Sequence, residues 1–395
     1  MRLEEMFASY KDYIMPTYTR QPLAFIKGKG SYLWDIHNQR YLDFFPGWGV
    51  GNLGHCHPKV MAAVRDQISK LIFIPNNYHH IPQAKLAKEL NFWSDFPVKV
   101  FFCNSGAEAN EAAIKFSRKF GKGRFEIITF ENSFHGRTLA TLSATGQKKY
   151  QEGFAPLPEG FKTVAFNDLA AVHSALTDRT AAIMLELIQG EGGINIADRD
   201  FVLGLRKLCD EKGLLLIIDE VQTGIGRTGK MFAYQHYKIA PDVVTLAKSL
   251  GGGLPIGAMM VKSEIADALN PGSHASTFGG GPVVCKAALA VLKAINKEKL
   301  LTKAKDSGEY LITQLNSLKK KYSIITNVRG KGLMIAVELK VPGKEVVSQC
   351  VKKGLLINCT HENVLRLMPA LGVSRKEINQ AVYILTEVLG AIGAP

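Results

Sequence analysis

Short apolar runs alternate with helix-like stretches between positions 51 and 282 of the chain. Each run is about four to eight residues long and almost continuously apolar, which is typical of strands that are covered on both faces. The alternation therefore predicts an α/β fold, with a mainly parallel sheet and helices on both of its faces. The predicted strands are 98–103, 126–130, 180–186, 214–219, 243–246 and 257–261.

The pattern changes on both sides of this region. Residues 286–318 have the periodicity of long amphipathic helices, and strand-like runs follow at 324–339, 355–358 and 364–368. Near the start, residues 25–35 predict a hairpin with Gly28 and Gly30 at its turn. We therefore expect three parts: an N-terminal segment, 1–50, that packs with a small α+β domain, 283–395, and a large domain, 51–282, between them.

Composition adds that the chain is an ordinary globular protein. It has 395 residues, of which 46% are hydrophobic and 21% charged. No run approaches the roughly 18 apolar residues of a membrane span, and the first residues carry acids where a signal peptide would be basic and then apolar. The six cysteines form no CxxC pair, so we expect reduced thiols and a cytoplasmic protein.

The charge balance is strongly basic, with 49 Lys+Arg against 35 Asp+Glu and a net charge of +14. Such a charge attracts nucleic acids, acidic membranes or small anions. The densest basic cluster, Lys319 to Lys321, follows the apolar stripe of a predicted helix, and no aromatic residues interleave with it. This placement favours the solvated end of a helix over a nucleic-acid site.

Polar residues follow four of the predicted strands directly. Because ligands of doubly wound sheets bind outside the carboxyl ends of the strands, these residues are the first candidates for a site. They are Asn104-Ser-Gly-Ala-Glu, Glu186, Asp219 and Lys248. We expect all of them to line one edge of the sheet.

Each candidate has an ordinary and a chemical interpretation. The segment from Ser105 can cap a helix or bind a phosphate at the helix N-terminus. Asp219, at the end of the most apolar run, can cap, form an ion pair or hold a cationic ring nitrogen. Lys248 is a surface lysine or a Schiff-base lysine with a lowered pKa. Together the three chemical interpretations match the three attachments of pyridoxal phosphate.

Eight motifs, in order along nearly the whole chain, resemble the class III pyridoxal-phosphate-dependent aminotransferases, most closely those acting on acetylornithine. They are Gly54-His-Cys-His-Pro, Asn104-Ser-Gly-Ala-Glu-Ala-Asn-Glu-Ala-Ala, Ser133-Phe-His-Gly-Arg-Thr, Glu186-Leu-Ile-Gln-Gly-Glu-Gly-Gly, Asp219-Glu-Val-Gln-Thr-Gly-Ile-Gly-Arg-Thr-Gly, Thr245-Leu-Ala-Lys-Ser-Leu-Gly-Gly-Gly-Leu-Pro-Ile-Gly, Ser276-Thr-Phe-Gly-Gly and Val364-Leu-Arg-Leu-Met-Pro-Ala-Leu. The resemblance implies pyridoxal-phosphate fold type I, with cofactor in the large domain and a smaller domain built from both termini.

The resemblance also implies a role for each site residue. Lys248, which would bind the cofactor covalently, and Asp219, which would bind its ring nitrogen, are the implied catalytic residues. The implied cofactor-binding residues are Ser105, Gly106, Ala107, Phe134, Glu186, Asp219, Gln222, Lys248 and Thr277. The implied substrate-binding residues are Arg137, Glu191, Ser276 and Arg366. Thr277 and Ser276 would come from a second subunit, so the resemblance implies a homodimer with shared active sites.

The implied reaction moves the terminal amino group of N-acetylornithine, or of a similar acylated diamino acid, to 2-oxoglutarate in arginine biosynthesis. Ornithine, 4-aminobutyrate and succinyldiaminopimelate are the alternative donors. Trp48 stands where acetylornithine enzymes usually have an aliphatic residue, which leaves succinylornithine, succinyldiaminopimelate and amino-carrier-linked lysine intermediates open as substrates. We expect no bound metal: His55 and His57 have no third ligand nearby in sequence. The segment Gly224-Ile-Gly-Arg-Thr-Gly resembles a nucleotide-binding loop, but its first glycine comes five residues after Asp219 and not directly after the strand. We therefore expect no nucleotide site there.

Overall fold

A computed structural model describes residues 3–392 of the chain. Met1 and Arg2, at the start of the predicted N-terminal segment, and residues 393–395, at the end of the predicted small domain, lie outside the described residues. Within the described part, no helix is both long and apolar enough to cross a lipid bilayer.

The described chain forms eleven α-helices and seventeen strands. The helices are α1 Leu3–Tyr13, α2 Pro58–Ile68, α3 Ile81–Trp93, α4 Gly106–Phe120, α5 Leu139–Ala144, α6 Leu169–Ala175, α7 Arg199–Lys212, α8 Pro282–Lys297, α9 Leu300–Lys321, α10 Lys344–Lys352 and α11 Arg375–Ile392. The strands are β1 Phe25–Lys29, β2 Tyr32–Asp35, β3 Arg40–Asp43, β4 Val98–Cys103, β5 Glu126–Phe130, β6 Phe161–Val164, β7 Thr180–Leu185, β8 Ile188–Gln189, β9 Asn195–Ile196, β10 Leu215–Asp219, β11 Val243–Leu246, β12 Gly257–Lys262, β13 Ile325–Lys331, β14 Met334–Leu339, β15 Leu355–Leu356, β16 Asn358–Thr360 and β17 Val364–Leu367.

Seven strands form the large sheet, in the order β4-β12-β11-β10-β7-β5-β6. Only β12 runs antiparallel to its neighbours, so the predicted mainly parallel sheet is confirmed. All six predicted strands are present. Sequence reasoning missed β6, because this edge strand is short and only partly buried.

Three smaller sheets accompany the large one, and the smallest is the two-stranded sheet β8-β9. The predicted hairpin forms, but Gly28 lies inside β1, opposite Leu33, and only Gly30 is at the turn, with a φ of +57°. Strand β3 continues this sheet and pairs in parallel with β15 from the C-terminal region. The other four-stranded sheet has the order β13-β14-β17-β16 and carries Arg366 on β17.

Long helices connect these sheets. Helix α8 packs against α2 and α3 and is followed directly by α9. As the charge pattern predicted, the three consecutive lysines, Lys319 to Lys321, form the last turn of α9. The carboxyl ends of β4, β5, β7, β10 and β11 open toward one edge of the large sheet, where the site described below is found.

Arg227 joins three distant parts of the chain beneath this edge. Its guanidinium is fully buried and donates hydrogen bonds to the carbonyl oxygens of Leu333 and Pro369, at 2.9 and 2.6 Å, and to Oδ1 of Asn52. Asn52 in turn donates to the carbonyl oxygen of Ile225 at 2.8 Å. One side chain thus fixes the stretch around Asn52 and the small sheet against the loop that follows β10.

We expect Arg227→Met to lower the free energy of unfolding by about 2–4 kcal/mol, since the change leaves buried acceptors without donors. The midpoint of thermal unfolding measures the effect. Lys99→Met is a matched control, because it removes an exposed ion pair with Asp267 (2.8 Å) and should change the midpoint little. Equal midpoints for the two variants would contradict a clamping role for Arg227.

Candidate active site

A cavity of about 440 Å³ lies at the carboxyl ends of the strands of the large sheet. Nine of the thirteen predicted site residues line it: Ser105, Gly106, Ala107, Phe134, Arg137, Glu186, Asp219, Gln222 and Lys248. Three different strand ends supply Glu186, Asp219 and Lys248. The edge that the sequence predicted is therefore a real concave site.

The start of α4 forms one wall of the cavity. Oγ of Ser105 caps the helix by accepting the N–H of Glu108 at 3.1 Å, and the Glu108 carboxylate accepts the N–H of Asn104 at 2.9 Å. The cap leaves the N–H groups of Gly106 and Ala107, in the first turn, free of helical partners. The two interpretations of this segment are thus compatible, because a capped helix N-terminus still presents N–H donors and a positive dipole end to an anion.

Gly106 is required at this wall because Val221 packs against it. A Cβ atom at position 106 would lie 2.7 Å from Cγ1 of Val221, which is two residues beyond Asp219 at the end of β10. The helix start therefore approaches the sheet edge as closely as the backbone allows. This close approach is the kind of cradle that a phosphate group needs.

Asp219 ends β10 and is almost completely buried. Its Oδ2 accepts hydrogen bonds from Nδ2 of Asn110 and from Nδ1 of His135, both at 2.8 Å, and its Oδ1 accepts the N–H of Val221 at 3.0 Å. Among residues 3–392, no lysine or arginine forms an ion pair with it. The carboxylate is held in one orientation without a lysine or arginine counterion, as a site for a cationic ligand atom would be.

Lys248 follows β11 at the start of a short 3₁₀ turn and has a φ of +46°. Burial in the cavity lowers the pKa of its amine, and Arg366 acts in the same direction, while the carboxylates of Glu191 and Asp219 act against it. An amine with a lowered pKa is more often neutral and therefore more nucleophilic. This environment suits a lysine that binds an aldehyde.

Two further buried acids stand beside Asp219. Glu186 accepts the backbone N–H groups of Phe134 at 2.9 Å and Gly190 at 3.1 Å, and burial raises the pKa of its carboxyl group well above the ordinary value. Glu220 accepts the N–H of Tyr234 at 2.9 Å and the hydroxyl of Thr223 at 2.7 Å. Burial raises the pKa of Glu220 to about 7.

Arg366 approaches the site from the small sheet. Its buried guanidinium donates to Oε1 of Glu191 and to the carbonyl oxygen of Gly190, both at 2.7 Å, and to Oδ1 of Asn358 at 2.8 Å. Burial alone would raise the pKa of Glu191, but Arg366 outweighs burial and lowers it. Glu191 and Arg366 are therefore an ion pair, and Nη1 of Arg366 also lies 3.3 Å from Oε1 of Gln222.

Arg137 is the exposed cation of the cavity. Its guanidinium lies over the ring of Tyr150, 4.0 Å from the ring centre, and 5.6 Å from the centre of the Phe134 ring. Cation–π contacts of this kind hold the group without using its N–H donors. Its position at the cavity fits the predicted binding of a carboxylate.

The predicted residues Ser276 and Thr277 do not line the cavity within this chain. Oγ of Ser276 accepts a hydrogen bond from Nδ2 of Asn104 at 3.1 Å, while Thr277 is exposed. Trp48 also lies outside the cavity: it has a φ of +54°, is 48% exposed and packs edge-on against Phe45. The neighbouring Phe45 contacts Arg366, whose guanidinium lies 4.7 Å from the centre of its ring.

Sequence reasoning missed several residues that shape the site. Asn110 and His135 stood inside the recognised motifs, but only their spatial approach to Asp219 shows their role. The same holds for Tyr150 under Arg137 and for Phe45 under Arg366. A pattern along the chain contains no signal for such contacts, because their partners lie 84 and 109 positions away for His135 and Asn110.

The chain matches the class-III aminotransferase family over residues 13–389. It is 51% identical over 387 residues to the acetylornithine aminotransferase of Methanocaldococcus jannaschii, covering 97% of each chain. It is 44% identical to the succinylornithine transaminase of Yersinia pseudotuberculosis, covering 95% of this chain and 94% of the relative. A structure of the ornithine aminotransferase of Toxoplasma gondii, with pyridoxal phosphate at partial occupancy, superimposes with a TM-score of 0.95 at 33% identity, covering 99% and 95% of the two chains.

The chain therefore belongs to the class III aminotransferases, and it is a pyridoxal-phosphate-dependent enzyme with the fold of that family. The cavity fits the cofactor chemically: it offers free N–H donors at a helix start for a phosphate, an oriented buried carboxylate for a ring nitrogen and a lysine for an aldehyde. The predicted family, fold class, enzyme class and cofactor are confirmed.

We expect Gly106→Ala to weaken cofactor binding, since the added Cβ would push the start of α4 away from Val221. Overpacking of this kind costs about 1–3 kcal/mol, so the affinity should fall roughly tenfold. Gly372→Ala is the control, because its Cβ would make an ordinary contact of 3.8 Å with Leu300. Bound cofactor is measured by absorbance after dialysis, and equal retention by both variants would contradict the expectation.

The buried acids predict that the cofactor-free protein loses stability as the pH rises. The pKa of Glu220 is raised from 4.5 to about 7, so the folded state binds more protons than the unfolded state between these values. The contribution of Glu220 to the free energy of unfolding should therefore be greatest below this window, fall across it and level off above about pH 7. Glu220→Gln keeps the shape and should flatten the decline of the thermal midpoint, whereas an unchanged slope would contradict the assignment.

Proposed function

We propose that the enzyme transfers the terminal amino group of N-acetylornithine, or of a similar acylated diamino acid, to 2-oxoglutarate. The products are the corresponding semialdehyde and glutamate, as in arginine biosynthesis. Relatives at 44–51% identity named acetylornithine aminotransferase or succinylornithine transaminase support this substrate class. The observation that carries the proposal is that one cavity holds Lys248 and an oriented Asp219, while the Glu191–Arg366 pair adjoins this cavity through Gln222.

In the proposed mechanism, pyridoxal phosphate, when bound, supplies an electrophilic aldehyde and an electron-withdrawing ring. Lys248 would hold the cofactor covalently, and its amine would move a proton to and from the reacting carbon. Asp219 would keep the ring nitrogen protonated, and Gln222 would bind the ring hydroxyl. Phe134 would pack against the ring, while the N–H groups of Gly106 and Ala107 would bind the phosphate.

Two different substrates must use the same cavity in turn. In the first half-reaction Arg137 binds the carboxylate of the acylated diamino acid, and Glu191 keeps Arg366 neutralised. In the second, Arg366 binds the α-carboxylate of 2-oxoglutarate after Glu191 has moved aside. The 2.7 Å contact between Glu191 and Arg366 supports this exchange, because one carboxylate can replace the other on the same guanidinium.

A homodimer with shared active sites completes the proposal. Exposed apolar side chains form a patch from Ile72 to Ile81, joined by Phe278, whose ring lies 5.4 Å from that of Phe73. Patches of this kind mark interaction surfaces. Thr277 adjoins Phe278 and has no place in its own cavity, so we infer that it reaches the phosphate site of a second copy together with Ser276.

We also propose the domain division 1–50, 51–282 and 283–395, with the first and last parts packing together. The parallel pairing of β3 with β15 supports this division. A cytoplasmic location is proposed because all six cysteines, which lie in the described part, are free thiols.

The test of the function is a panel of amino donors with 2-oxoglutarate, followed by glutamate formation. N-acetylornithine, N-succinylornithine, ornithine, 4-aminobutyrate and succinyldiaminopimelate are compared by kcat/KM. We expect one of the two acylated ornithines to rank first. Preference for ornithine or 4-aminobutyrate would overturn the substrate assignment while leaving the enzyme class intact.

Glu191→Gln should redirect donor preference. With Arg366 left unmasked, glutamate, whose α-carboxylate binds that arginine, should gain on acetylornithine by more than roughly tenfold. Glu338→Gln is the matched control, because Glu338 pairs with Arg329 on the same small sheet. Single-turnover rates with the two donors are measured in each protein, and an unchanged ratio would show that Glu191 does not gate the pocket.

A further inference from the structure

Asn110 is a buried polar residue of α4 that none of the proposed steps uses. Its Nδ2 donates two hydrogen bonds, to Oδ2 of Asp219 at 2.8 Å and to the backbone carbonyl of His135 at 2.7 Å. Both acceptors belong to segments that form the cavity. One amide group therefore links α4, the carboxyl end of β10 and the segment that follows β5.

The orientation of this amide is determined by its neighbours. The two contacted atoms are a backbone carbonyl oxygen and a carboxylate oxygen, which both accept hydrogen bonds. Rotating the amide by half a turn would place its own Oδ1 against these two electron-rich atoms. In the observed orientation, Oδ1 is buried and has no hydrogen-bond partner among the described residues. An unpartnered buried acceptor is unfavourable, and its presence shows how strongly the site requires two donors at this point.

His135 supplies the second donor to the same oxygen. Its Nδ1 lies 2.8 Å from Oδ2 of Asp219 and must carry the proton, while its Nε2 is buried without a partner among residues 3–392. The two carboxylate oxygens are consequently unequal. Oδ2 has two side-chain donors, whereas Oδ1 has only the Val221 N–H and retains capacity for one more.

We propose that Asn110 is a positioning residue that saturates Oδ2 of Asp219 and thereby assigns Oδ1 to the protonated ring nitrogen of the cofactor. This inference rests on the proposed role of Asp219. The two donors to Oδ2 stabilise the ionised carboxylate, and the single remaining acceptor position gives the ring nitrogen one geometry. Asn110 thus acts on the cofactor through Asp219 and touches no reacting atom.

A purely structural role for Asn110 makes a different prediction. If the amide only ties α4 to the segment around His135, its loss loosens the whole cavity. Such a change weakens every ligand equally, whether or not the ligand carries a ring nitrogen. A pair of ligands that differ only at this atom separates the two roles.

The experiment measures the dissociation constants of pyridoxamine phosphate and of its 1-deaza analogue, in which C–H replaces the ring nitrogen. Both bind without a covalent bond to a lysine, so binding is read by calorimetry without turnover. We expect Asn110→Ala to weaken pyridoxamine phosphate by roughly tenfold, the size of a hydrogen bond to a charged group, and the deaza analogue by much less. The control is Thr145→Val, which removes the hydroxyl that accepts the backbone N–H of His135 at 3.0 Å. This variant should affect both ligands alike.

An equal loss for the two ligands in Asn110→Ala, or no loss for either, would overturn the inference. Asp219→Asn in the same assay separates this failure from a failure of the proposed site. If Asp219→Asn also does not discriminate the ligands, the role of Asp219 itself is wrong. Should Asn110→Ala not fold, Asn110→Ser removes the Nδ2 donor and leaves a smaller cavity. This variant must show selective loss in the same direction.

Discussion

The fold depends on placing one carboxylate, that of Asp219, where almost no water reaches it. A buried charge costs several kcal/mol unless hydrogen bonds compensate it. Here the compensation comes from Asn110 on α4, from His135 after β5 and from the N–H of Val221. Three segments that are far apart in sequence must therefore meet at the end of β10, and the order of the strands brings them there.

Several energetically unfavourable features lie at the same edge of the sheet. Burial raises the pKa of Glu186 and Glu220 and lowers that of Lys248, and Lys248 adopts a left-handed backbone conformation. The strands that lead to this edge, such as β7, are almost continuously apolar and fully buried. Unfavourable local states that a well-packed scaffold maintains are typical of sites prepared for a ligand, because the ligand then supplies the missing partner.

The second sheet contributes the part of the cavity that must serve two substrates. Arg366 reaches the turn between β8 and β9 and contacts Gly190 and Glu191 there. A Cβ atom at Gly190 would lie 2.1 Å from Oε1 of Gln222, so the Gln222 amide would have to move to admit a side chain there. The 3.3 Å contact between Nη1 of Arg366 and Oε1 of Gln222 joins a residue proposed for the substrate to one proposed for the cofactor. Arg227 ties the contributing segments together.

Much of this architecture followed from the sequence alone. Continuous apolar runs identified six strands of the large sheet, since a strand buried on both faces leaves a strong pattern, while the half-exposed edge strand β6 left none. Residues directly after those runs identified Lys248, Asp219 and the start of α4, because strand ends converge in a parallel sheet. Only the tertiary structure decided which atoms meet: the donors of Asn110 and His135 on one oxygen, Tyr150 beneath Arg137, and Phe45 rather than Trp48 beneath Arg366. These contacts depend on rotations and distances between segments that are remote in the chain, and no periodicity records them.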